Sequence, residues 1–134
     1  MMTGSDPIGR TDGWGGQSVD AERHGATLAN ISRRLVMLHK EFYGKGPTKA
    51  RTYIQDDAVF VLLRGGYTRV EETLLRDGRG EAVHRQRDAF QEVMHHRFVE
   101  VIEDELGRKV DAFMSTSHQD PDLLAEIFVL ESAD

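Results

Sequence analysis

The sequence predicts an α+β domain. Two αββ units form a four-stranded antiparallel sheet packed by two long helices, and a short helix links the units. Three observations carry this reading. Two long stretches place apolar residues at the three-and-four spacing of one helical face. Each stretch ends in a glycine turn followed by cations and then by two extended apolar runs. An acidic turn separates the two runs in both halves, at Asp56-Asp57 and at Asp120-Pro121-Asp122. Residue identity between the halves is low, so the repetition is one of pattern.

Composition sets the frame. A chain of 134 residues, with hydrophobic residues at 39% and charged residues at 30%, fits one globular domain able to bury a core without staples. Cysteine is absent, which removes disulfides, thiolate metal sites and cysteine nucleophiles. The formal net charge of -6 speaks against a nucleic-acid binder. No apolar run approaches the ~18 residues of a membrane span, and the N-terminal residues lack the pattern of a secretory signal. A cytoplasmic protein is expected, peripheral to the membrane if it works there, with no direct insertion.

Residues 1–17 contain Gly4, Gly9, Gly13, Gly15 and Gly16 and read as a flexible glycine-rich tail, with Trp14 as a loosely held exception. Residues 18–134 read as a single domain. Its first helix runs from about Ser18 or Asp20 to Tyr43, with Leu28, Ile31, Leu35, Leu38 and Phe42 on one face. Gly44 stands just past its end, where left-handed backbone is common. The runs Lys49–Ile54 and Ala58–Arg64 read as a hairpin, and the second is apolar on both faces. Gly65-Gly66 ends that strand. Thr68 and Glu71 then have the spacing of a capping box and start a short helix reaching Arg76.

A longer helix is expected from about Glu81 to Leu106, with Val83, Phe90, Val93, Met94, Phe98, Val101, Ile102 and Leu106 as its apolar set and Gly107 as its stop. The runs Val110–Thr116 and Leu124–Glu131 complete the sheet, joined through the Asp-Pro turn. Two helices on one side of the sheet leave apolar side chains of the strands uncovered. A C2 homodimer is expected to cover them.

No catalytic constellation emerges. The turn Gly44-Lys45-Gly46-Pro47-Thr48-Lys49 lacks the phosphate-loop spacing and follows a helix instead of preceding one. Its cations Lys45, Lys49 and Arg51 complement a helix C-terminus, and the same cations could hold a small anion, an acidic partner surface or lipid headgroups. His95 and His96 are adjacent, so on a helix they diverge and cannot share a metal; one is expected toward the core and the other toward water. His118 with Asp120 and Asp122 forms a polar cluster in a turn, without a nucleophile beside it. No metal, cofactor or catalytic residue is expected.

Four ordered motifs resemble the MpsC-type domain family, long catalogued as a domain of unknown function. They are Leu38-His39-Lys40-Glu41-Phe42-Tyr43-Gly44-Lys45-Gly46-Pro47-Thr48-Lys49-Ala50-Arg51-Thr52-Tyr53, then Leu63-Arg64-Gly65-Gly66-Tyr67-Thr68-Arg69-Val70-Glu71. Phe90-Gln91-Glu92-Val93-Met94 with Arg97-Phe98 comes next, and the last is Gly107-Arg108-Lys109-Val110 through His118, Asp120-Pro121-Asp122 and Glu126-Ile127-Phe128-Val129-Leu130-Glu131. The resemblance covers about residues 26 to 131. It implies a sodium-translocating, membrane-potential-generating system linked to inorganic-carbon uptake. Within that system it implies an accessory or regulatory subunit with a membrane-transport partner.

The family motifs nominate Lys45, Lys49, Arg51, Arg64, His118, Asp120 and Asp122 for anion or partner binding without assigning roles. The alternative readings are a small-anion sensor, for bicarbonate or a phosphorylated metabolite, and a nucleic-acid-binding regulator.

Overall fold

The computed structural model describes residues 14–132, with side chains from Arg23 onward. Helix α1 spans Trp14–Tyr43, β1 Lys49–Gln55 and β2 Ala58–Arg64. Helix α2 spans Arg69–Arg76, α3 Gly80–Leu106, β3 Val110–His118 and β4 Leu123–Leu130. The order αββ is therefore repeated, with α2 between the units. The strands form one antiparallel sheet in the order β1-β2-β4-β3, so each unit contributes a hairpin and the hairpins meet at β2 and β4. Both long helices pack on one side of it, as the periodicity predicts. Helix α1 begins four residues ahead of the expected Ser18 and takes Trp14 into its backbone. The remainder of the expected tail, residues 1–13, lies outside the described residues.

Local chemistry explains the boundaries. Thr68 accepts from the Glu71 backbone N–H, and the Glu71 carboxylate accepts from the Thr68 N–H, closing the capping box at the start of α2. Gly107 ends α3 in the left-handed conformation at φ 65°. Gln55 pairs with Ala58, leaving a two-residue turn in which Asp56 takes φ 54°, a conformation that aspartate tolerates better than most residues. Gly65 and Gly66, at φ 76° and 102°, lie against the Pro47-Thr48 turn. A β-carbon on Gly65 would sit 2.6 Å from Thr48 Oγ1, so this crossing requires glycine.

The core lies between the sheet and the helices. Ile31 and Leu35 of α1 and Met94, Phe98, Val101 and Ile102 of α3 pack on Val59, Val61, Leu63, Leu124, Phe128 and Leu130. Arg34 of α1 bonds Glu105 at 3.0 Å and Asp104 at 3.3 Å, tying the helices together. Two expected members of the helical stripes face outward instead. Val93 is 71% exposed because the buried stripe of α3 runs through Val83, Arg87, Gln91, Met94 and Phe98, one step to the side. Phe42 is also exposed, with the Arg97 guanidinium 4.7 Å from its ring centre.

Candidate binding face and buried ion-pair network

Strand alternation sends every second residue to the face that the helices leave open. Register then arranges those residues in four rows across β1, β2, β4 and β3. They are Lys49, Arg64, Leu123 and His118; Arg51, Leu62, Ala125 and Thr116; Tyr53, Phe60, Ile127 and Met114; and Gln55, Ala58, Val129 and Ala112. Lys49, Arg51, Arg64 and His118 all fall in the first two rows, and the last two are apolar apart from Gln55. None of these positions carries a carboxylate, in a chain of net charge -6. Tyr53 and Phe60 are stacked with ring centres 6.0 Å apart, and they are 48% and 36% exposed. Lys49, Arg51 and Arg64 line a shallow recess of about 600 Å³ at the basic end.

The seven nominated residues therefore divide. Lys49, Arg51, Arg64 and His118 gather on the open face, although His118 lies at its far edge and its ring Nδ1 is 3.0 Å from the Pro121 carbonyl. Lys45 stands on the helix side, at a cavity lined also by His39, Tyr43 and Arg87. Asp120 is exposed at φ 54°, before the cis bond to Pro121. Asp122 turns inward and accepts from Arg87 Nη1 at 2.7 Å. Its carboxylate is thus paired inside the protein.

That contact belongs to a network absent from the sequence reading. Arg87 sits on the buried face of α3 and donates through Nε and Nη2 to the two Glu71 oxygens at 2.9 and 3.1 Å. Tyr43, at the end of α1, donates to Glu71 and accepts from Gln86 Nε2 at 2.9 Å. The Arg87 guanidinium also lies 4.7 Å from the Tyr67 ring centre. Arg87 thus joins α3 to α2 and to the β3–β4 turn, and Tyr43 brings α1 in through Glu71.

The titration shifts follow from this geometry. Burial would raise the Glu71 pKa, but the bonds from Arg87 and Tyr43 outweigh it and hold the carboxyl below its usual range. Burial lowers the Arg87 pKa less than Glu71 and Asp122 raise it, so the guanidinium stays charged. Burial, reinforced by Glu71, pushes Tyr43 up to about 12.

A second polar group occupies the core beside it. Glu126 of β4 points between the sheet and α3, fully buried, opposite Ser115 and near Gln91. Burial raises its pKa to about 7, with Ser115 and Gln91 pulling weakly the other way. Neither Glu126 oxygen has a hydrogen-bond partner of ordinary geometry. His39 is sandwiched against Phe90 and Phe98, its Nδ1 2.8 Å from the Leu35 carbonyl. Burial lowers its pKa and keeps the ring neutral.

These residues were missed because they are polar at core positions of apolar patterns. That mismatch is itself the signal that could have found them. His95 and His96 are both exposed, correcting the expectation that one faces the core; His95 lies edge-on to Phe113. Among the described residues, no group of three or more His, Asp or Glu could hold a metal ion, and no helix is long and apolar enough to cross a membrane.

A family model described as "Na+-translocating membrane potential-generating system (MpsC)" matches residues 24–132. The chain belongs to this family. The match spans all four strands, the open face and the whole ion-pair network, so the features above lie within the MpsC domain. Comparison with curated proteins and with solved structures found no match.

Proposed function

We propose that this MpsC-family chain is a non-catalytic, cytoplasmic accessory or regulatory component of a sodium-translocating, membrane-potential-generating system, and that it engages its partner through the open face of the sheet. The observation that carries this reading is that none of the paired positions on the open face carries a carboxylate. Lys49, Arg51 and Arg64 stand beside an exposed apolar row in a chain that is acidic elsewhere. A partner with acidic residues flanking an apolar patch complements it in both charge and hydropathy.

A C2 homodimer through the same face is a second occupant, supported by the Tyr53-Phe60-Ile127-Met114 row. A dimer mass at micromolar concentration in light scattering supports that occupant, and a monomer mass removes it. The recess lined by Lys49, Arg51 and Arg64 also favours a small-anion sensor. An anion-specific thermal shift supports the sensor; no shift across a millimolar anion panel refutes it.

The test of the main reading is complementation. Cells lacking the gene should lose part of their sodium-dependent membrane potential, measured with a potential-sensitive dye. Wild-type protein should restore it, and folded Lys49→Glu/Arg51→Glu/Arg64→Glu protein should not. Full restoration by the triple variant refutes the assignment of the face.

A further inference from the structure

Strand β1 is an edge of the sheet, so half of its backbone N–H and C=O groups point away from β2, with no strand among the described residues to receive them. Beside that edge, between α1 and β1, runs an open groove of about 870 Å³. Leu28, Val36 and Met37 of α1 give it an apolar wall, and Arg33, Lys40 and Arg51 give it positive charge. Among its described lining residues there is no carboxylate. The groove is built on a fixed frame, because Ser32 of α1 and Thr52 of β1 are joined by a 2.8 Å hydrogen bond between their hydroxyls. On the other side of the strand lies the recess of Lys49, Arg51 and Arg64, also without a carboxylate.

We propose that β1 is an acceptor edge for an extended acidic segment of a partner protein, which adds to the sheet as a fifth strand. Strand addition draws affinity from main-chain hydrogen bonds and specificity from alternate side chains. Here the two parities of the incoming strand meet different surfaces. One parity lies over the groove beside Ala50 and Thr52 and packs on Leu28, Val36 and Met37, so it is apolar. The other lies beside Lys49, Arg51 and Tyr53 on the open face, so its complement is Asp or Glu. The segment is therefore an alternating apolar and acidic run about as long as β1, seven residues.

Charge favours the acidic segment over a second copy. A second copy paired antiparallel along the whole of β1 would set Lys49 opposite Gln55 and Arg51 opposite Tyr53, so it would bring no counter-charge to these cations. Nucleic acid would satisfy the cations but would use neither the unpaired backbone nor the apolar groove wall. The inference rests on the partner-binding reading above and names the segment that the partner presents.

The probes are three fluorescent ligands: a seven-residue alternating Glu/Val peptide, its Lys/Val counterpart, and a short single-stranded oligonucleotide. The Glu/Val peptide should bind in an anisotropy titration and slow hydrogen exchange at alternate amides of β1. Lys49→Glu/Arg51→Glu should weaken binding at least tenfold, while Lys49→Arg/Arg51→Lys keeps it. The exposed positions of both side chains keep these variants folded, as circular dichroism will check. Equal binding of the two peptides, preference for the oligonucleotide, or β1 exchange unchanged by the peptide would each overturn the proposal. The assay contains no membrane component, so its failure removes the acceptor strand and leaves the complementation test to decide the broader reading.

Discussion

Replacing Glu126 by Gln tests whether the buried carboxyl is held neutral by its surroundings. Its pKa is raised from 4.5 to about 7, with burial as the main cause. A carboxyl raised in the folded state binds its proton more tightly there than in the unfolded chain. Its stability contribution is therefore fully present below the unfolded pKa of 4.5 and is lost as pH rises through about 7. The loss over that window amounts to about 3 kcal/mol, taking ~1.4 kcal/mol per pKa unit. Gln has nearly the shape of the protonated acid and does not ionise.

Glu126→Gln should match wild type near pH 4 and exceed it by about 3 kcal/mol at pH 8, or roughly 10 °C in Tm for a domain of this size. Denaturant melts of both proteins across pH 4 to 8 measure the difference directly. Other titrating groups largely cancel in it, including His39, whose lowered pKa makes stability fall with acidification. Parallel stability curves for the two proteins refute the reasoning, as does a variant less stable than wild type at pH 8.

Arg87→Met should cost about 3–5 kcal/mol in a denaturant melt, because it leaves Glu71 and Asp122 buried without their cation; a loss under 1 kcal/mol would show that the network is dispensable. Gly65→Ala should destabilise by at least about 1 kcal/mol, since alanine resists φ 76° and its β-carbon collides with Thr48. A neutral Gly65→Ala would mean that the Pro47-Thr48 turn yields freely. Thr68→Ala should cost about 1 kcal/mol by removing the cap of α2, read from the same melts; no change would remove the cap from the account of α2.

What was legible in the sequence follows from periodicity and punctuation. The stripe through Ile31 and Leu35, the stripe through Met94, Phe98 and Ile102, and the Thr68–Glu71 box each depend on neighbours within four residues. They emerge as read. The Gly44, Gly65-Gly66 and Gly107 stops depend on backbone sterics alone and hold likewise.

The candidate site was legible only in part, because contact between distant residues depends on register. Lys49, Arg51 and Arg64 were named, but their convergence on one face requires the pairing of Lys49 with Arg64. Asp122 looked like a free turn acid beside His118, and only the position of Arg87, far away on α3, reveals it as an internal partner. Val93 and Gln91 show the same limit in reverse. A stripe assigned by hydropathy takes the valine and rejects the glutamine, whereas packing buries the glutamine and exposes the valine.

The most direct test of partner engagement is co-purification. Tagged wild-type protein and its Lys49→Glu/Arg51→Glu/Arg64→Glu variant would be isolated from gently solubilised membranes, and the membrane components of the sodium-translocating system would be quantified by mass spectrometry. Engagement through the open face predicts that wild type retains those components and that the folded variant loses them at least tenfold. Equal recovery with both proteins contradicts it.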